Sequence, residues 1–174
     1  MTDKEFLAVY LGRYQKALAK IAELEQLQQR IESNAVSITG VDTTAVKVQS
    51  NKRSDNVAAP VVSAVAVGEH IADLQRKAPA LMKSTARIID MLPFEFQGRS
   101  VLEIHFVYGY PLVNTCSVIG VSRSKVYSLY NKSLEQLLKL RDVRETLERY
   151  ADRLRENKRR RMSKTLDSGK EPRE

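Results

Sequence analysis

A chain of 174 residues with one cysteine, no tryptophan and two histidines rules out several chemistries at the start. A single thiol excludes an intramolecular disulfide. Cys116, His70 and His105 are the only soft metal ligands, and they lie far apart with no paired spacing, which argues against a zinc site. His105 stands among Ile104, Phe106 and Val107 and reads as a helix-face residue. There is no glycine-rich phosphate loop and no Ser-His-Asp order at a workable spacing, and the carboxylates are scattered over polar faces. The expectation is a protein that is not an enzyme, with no catalytic residues, no cofactor and no metal. No signal peptide and no long apolar run occur, so a cytoplasmic protein without a membrane partner is expected.

Charge is what the chain has in excess. Lysine and arginine number 29 against 21 aspartates and glutamates, for a net charge of +8 and an isoelectric point near 9.6. Such a balance suits a polyanionic partner, although an excess that is simply solvated would have the same composition.

The stretch from Leu112 to Leu129, LVNTCSVIGVSRSKVYSL, has the spacing of a helix-turn-helix. Leu112, Thr115 and Ile119 form the inward stripe of a first helix, with Thr115 where a larger apolar group would pack better. Cys116 is small enough for the point where two steeply crossing helices approach. Gly120 can take positive φ and end that helix, Val121 turns inward, and Ser122 can cap the next helix. Val126 and Leu129 continue the buried face, with Tyr130 and Ser133 beside it. At about 100° per residue this leaves Ser124, Tyr127, Ser128, Asn131 and Lys132 outward, flanked by Arg123 and Lys125. No acidic side chain interrupts that face before Glu135, which suits phosphates and base edges. Ser124, Lys125 and Ser128 are the candidates for base-edge contact. Arg123, Tyr127, Asn131 and Lys132 are candidates for phosphate contact, and Ser122 presents a helix N-terminus to the backbone. A glycine between two amphipathic helices in an ordinary bundle is the competing explanation.

The segments LP, VLEIHFVYG and LVNTCSVIGVSRSKVYSLYNKSLEQL together resemble region 4 of sigma factors. Over roughly residues 5 to 140, including the linker-like VDTTAVKVQSN at 41–51, the chain more closely resembles the phage late-gene transcriptional activators of the RinA and ArpU type. It departs from them at Pro111, Val113 and Asn114, where relatives open the first motif helix with a hydroxyl or acidic residue. The resemblance implies a regulator of phage or prophage genes, acting as an activator on double-stranded DNA in the bacterial cytoplasm and touching host RNA polymerase. A phage terminase small subunit, which joins the same motif to helical oligomerisation segments, is the main alternative. A true sigma factor and an adaptor without DNA contact rank below it.

The periodicity predicts an all-α fold. Residues 1–33 carry Leu7, Tyr10, Tyr14, Ala17, Ile21, Leu24, Gln28 and Ile31 at helical spacing, capped by Thr2 or Asp3. Residues 34–62 are polar and contain Gly40 and Pro60, so they read as a flexible linker, with short strands at Val36–Ile38 or Ala45–Val48 as an alternative. Residues 63–92 resume the stripe with Val67, Ile71, Leu74, Ala78, Leu81, Thr85, Ile88 and Leu92, with a kink or break near Arg76 because of Pro79. The two stripes can pair antiparallel within one chain as a long hairpin or coiled coil, or with another subunit as a homodimer or higher oligomer. Residues 93–140 then hold the helix-turn-helix domain, led by a helix from Arg99 to Tyr108 and with Pro111 fitting the first position of the next. Residues 141–157 extend the last helix through Val143, Leu147, Tyr150 and Leu154, as a lone helix or a dimer seam. Residues 158–174, with Lys158, Arg159, Arg160 and Arg161, are expected to be a disordered basic tail that grips DNA backbone or serves only solubility.

Overall fold

The computed structural model describes residues 2–39 and 55–167 and is all-helical over them, with no strand among the described residues. Seven helices follow in order: α1 Asp3–Leu11, α2 Arg13–Thr39, α3 Asp55–Ile89, α4 Gln97–Phe106, α5 Leu112–Ile119, α6 Arg123–Lys139 and α7 Arg141–Asp167. They divide into two units. One is built from α1 and the chain from Thr85 onward, and the other spans Arg13–Ser84.

In the Arg13–Ser84 unit, Ala17, Ile21 and Leu24 of α2 and Ile71 and Ala78 of α3 are buried, with Val67 and Leu74 packed beside Ile21, Leu24 and Ile71. Arg13 at the start of α2 donates to the Ser84 hydroxyl at 3.2 Å, while Leu24, further along α2, meets Ile71, earlier in α3. The two helices therefore run antiparallel.

The other unit has a core of Leu7, Tyr10 and Leu11 from α1, Ile88 and Ile89 from the end of α3, Leu92 just beyond it, Leu102 and Phe106 from α4, Leu134 and Leu137 from α6, and Val143 and Leu147 from α7. α1 starts in a reciprocal cap: the Glu5 N–H donates to the Thr2 hydroxyl at 3.3 Å and the Thr2 N–H to the Glu5 carboxylate at 2.7 Å. Its aromatic face meets α7, where Tyr10 sits edge-on to Tyr150 with ring centroids 5.1 Å apart.

These elements depart from the expected organisation in six places. The helix expected over residues 1–33 is interrupted at Gly12, so that α1 belongs to a different unit from α2. The buried Thr85 hydroxyl donates to the Leu11 carbonyl at 3.1 Å, a tertiary bond that holds the end of α1. The linker expected over 34–62 is helical at both ends. α2 runs on through Thr39, with no glycine or proline between Arg13 and Thr39 to stop it, and helix replaces the alternative strand at Val36–Ile38. α3 starts at Asp55 and continues through Pro60. Residues 40–54, with the alternative strand at Ala45–Val48, lie outside the described residues.

α3 also passes through Pro79 without a break. Pro79 is exposed between two alanines, and buried Ile71 and Ala78 before it and Thr85, Ile88 and Ile89 after it hold the helix on both sides and offset one missing hydrogen bond. The domain drawn at 93–140 is instead a head that recruits α1, the end of α3 and α7, since three short helices leave Leu102, Phe106 and Leu134 uncovered. The continuous helix expected beyond Leu137 is broken at Leu140, whose extended backbone (φ −76°, ψ 129°) lets α7 turn to pack Val143 and Leu147. The tail expected to be disordered from 158 remains helical as far as Asp167, and residues 168–174 lie outside the described residues.

Candidate nucleic-acid interface

The turn between α5 and α6 is made from local chemistry. Gly120 takes φ 74° and ψ 29°, the left-handed conformation that ends a helix, and the N–H groups of Gly120 and Val121 both close on the Cys116 carbonyl at 3.0 and 3.1 Å. Ser122 then caps α6, its hydroxyl accepting from the Lys125 N–H at 3.3 Å. Pro111 precedes α5 instead of occupying its first turn, with φ −56°, and its carbonyl takes the N–H groups of Asn114 and Thr115.

Beneath the turn, Val101 of α4 and Val126 and Leu129 of α6 form a small core, joined by Leu112, Cys116, Ile119, Val121 and Tyr130. Thr115 is fully buried there, yet its hydroxyl donates to the Pro111 carbonyl at 3.1 Å. A threonine thus satisfies its polar atom locally and presents its methyl to the core, so the position does not call for a larger apolar group. Cys116 is half-buried, with Sγ 2.9 Å from the Val113 carbonyl. His105 bonds through Nδ1 to the Tyr110 carbonyl at 2.8 Å and packs on Phe106 and Tyr130, so it helps close the loop before α5. Burial pushes the Tyr130 phenol above its ordinary value.

All eight candidates, Ser122, Arg123, Ser124, Lys125, Tyr127, Ser128, Asn131 and Lys132, are exposed at the start of α6 or along its outer side. Tyr127 keeps 44% of its surface accessible even beside the buried Val126. Arg123, Lys125 and Lys132 form no ion pair among the described residues. Lys158, Arg159, Arg160 and Arg161 are not gathered onto that surface by α6; they stand on α7, exposed, and Arg160 pairs with Glu156 of its own helix.

One contributor to the α6 surface has no signature in the sequence. Glu135 is the sole carboxylate of α6 and, by helical rotation, falls about 20° from Ser128, on the same outer face. Lys4 of α1 reaches it, Nζ to Oε1 at 2.6 Å. The hydrogen bond from Lys4, then its charge, and more weakly Lys139 and Lys132, hold the Glu135 carboxyl below its ordinary value. The partners are 131 residues apart, so only the packing of α1 on α6 brings them together.

Among the described residues no cluster of three or more histidine, cysteine, aspartate or glutamate side chains could hold a metal ion, and no helix is long and apolar enough to cross a membrane. No family model, curated protein or solved structure matches this chain.

Proposed function

We propose that the chain is a sequence-specific DNA-binding transcriptional regulator that reads duplex DNA with α6. In this reading α5, the Gly120 turn and α6 form a helix-turn-helix of the sigma region 4 kind, and α2 with α3 forms a long helical hairpin. The observation that carries it is the outer face of α6. Its three cations pair with no carboxylate among the described residues, while its own carboxylate is engaged by Lys4. Such a face attracts phosphates and leaves Ser124, Lys125 and Ser128 to meet base edges, where one good bidentate contact discriminates by about 1–3 kcal/mol. The resemblance to phage late-gene activators supplies the biological setting, activation of phage genes with host RNA polymerase as a partner. One recognition helix reads few base pairs, so a second copy or a partner protein is part of the proposal.

The test is selection of bound duplexes from a random-sequence pool, followed by titration of Lys125→Ala on the selected and a scrambled duplex at fixed salt. The expected result is a much larger loss on the selected duplex. Equal losses on both remove the base-reading role, and protection of a packaging site instead of a promoter on phage DNA replaces regulation with packaging.

A further inference from the structure

The cationic run near the end of the chain is part of a helix, and its register there bears on what it does. Val143, Leu147, Tyr150 and Leu154 lie along one stripe of α7, the first two buried in the head core and Leu154 already 44% exposed. Continued by the same three-and-four step, that stripe reaches Lys158 and Arg161. The apolar seam thus gives way to charge on the same side of the helix. A coiled-coil partner would need apolar side chains to continue there, and a membrane surface would need an apolar face opposite the cations. From Arg153 to Arg161 the only apolar side chain is Leu154.

What remains is electrostatic. Arg153, Arg155, Lys158, Arg159, Arg160 and Arg161 stand against one carboxylate, Glu156, in this stretch, and all six are exposed. Pairs within the helix, Arg149 with Glu145, Arg155 with Asp152 and Arg160 with Glu156, support its conformation. Lys158 and Arg159 make no ion pair among the described residues. Over roughly 12 Å of helix this is about one cation per 2 Å, comparable to duplex DNA at about one charge per 1.7 Å.

We propose that the distal half of α7 is a preformed helical arm that binds the phosphate backbone of double-stranded DNA, a site separate from the outer face of α6. It rests on the DNA-binding reading above for its partner. Because the arm is already helical, ordering it costs less on binding than ordering a disordered tail. Its contacts supply affinity and salt sensitivity, while sequence preference stays with α6.

The experiment is a salt titration of the full-length chain and of the variant Lys158→Ala, Arg159→Ala, Arg161→Ala, on selected and scrambled duplexes and on an RNA stem. Alanine preserves helix propensity, and circular dichroism checks that helix content is retained. The expected result is a plot of log affinity against log salt that is shallower by about 2 to 3 on both duplexes, with the ratio between them unchanged. Sequence preference in the wild type with no change of slope in the variant overturns the arm and leaves the reading of α6 standing. A change of slope without any sequence preference supports the arm and removes the role of α6. Wild-type protein that binds neither duplex overturns both, and an RNA stem bound more tightly than duplex DNA through the same residues overturns the assignment to DNA.

Discussion

Gly98 of α4 lies directly against the Ser133 hydroxyl of α6, and a Cβ built on Gly98 would sit inside van der Waals contact of Ser133 Oγ and of the Phe96 ring. Both residues are buried, Ser133 fully, with its hydroxyl donating to the Leu129 carbonyl at 2.7 Å. This pair sets how closely the supporting helix approaches the one that carries the candidate DNA face. Gly98→Ala is therefore expected to destabilise the head by about 1–3 kcal/mol, the usual cost of overpacking. Adding Ser133→Ala removes one of the clashing atoms and should recover part of that loss, as read from urea unfolding. Wild-type stability in Gly98→Ala would show that the two helices can separate at no cost.

Leu7 is wholly buried beneath α6 and α7 although it lies more than a hundred residues before them. Truncation to alanine should cost about 2–5 kcal/mol and raise hydrogen exchange along α6. Leu27 in α2 is 42% exposed, and Leu27→Ala should cost well under half as much. If Leu7→Ala leaves the exchange of α6 unchanged, α1 is not a structural member of the head.

The contrast between these leucines shows how far the sequence could be read. Three-and-four spacing identified Leu7 as an apolar helix position, and local motif chemistry located Gly120, Ser122 and the outward residues of α6. That information lies within a few neighbouring residues. The separation of α1 from α2 depends on Thr85 reaching Leu11, and the break at Leu140 occurs at a residue with no intrinsic tendency to end a helix. The match of Lys4 with Glu135 is equally nonlocal. Pro60 and Pro79 are the opposite case, strong local breakers that the surrounding helix overrides.

Gly120 differs from Gly98 in what a side chain would meet. A Cβ there would find no atom within 4 Å, so the constraint is the positive φ alone. Gly120→Val should cost about 1–2 kcal/mol, and Gly120→Asn less than half of that, because asparagine tolerates the left-handed region. Thermal unfolding distinguishes the two. Equal costs would mean that surrounding packing, not backbone conformation, limits the turn.

Lys4 and Glu135 form an exposed ion pair, so its main consequence is expected in the field over α6 and not in stability. Glu135 has its carboxyl held below the ordinary value of 4.5 by Lys4. A lowered carboxyl pKa contributes stability above the unfolded value and loses it as pH falls through the folded value, so the pair is fully formed at neutral pH. Lys4→Ala should return Glu135 toward its ordinary titration, followed by carboxyl carbon NMR, and leave an unpaired negative charge on the outer face of α6. DNA affinity near pH 7 should then drop about two- to fivefold at low salt, with less effect as salt is raised. Glu135→Gln alone should bind DNA at least as well as the wild type. Combining it with Lys4→Ala should restore most of the lost affinity, because the charge that Lys4 screens is gone. A double variant as weak as Lys4→Ala alone would instead assign Lys4 a phosphate contact of its own.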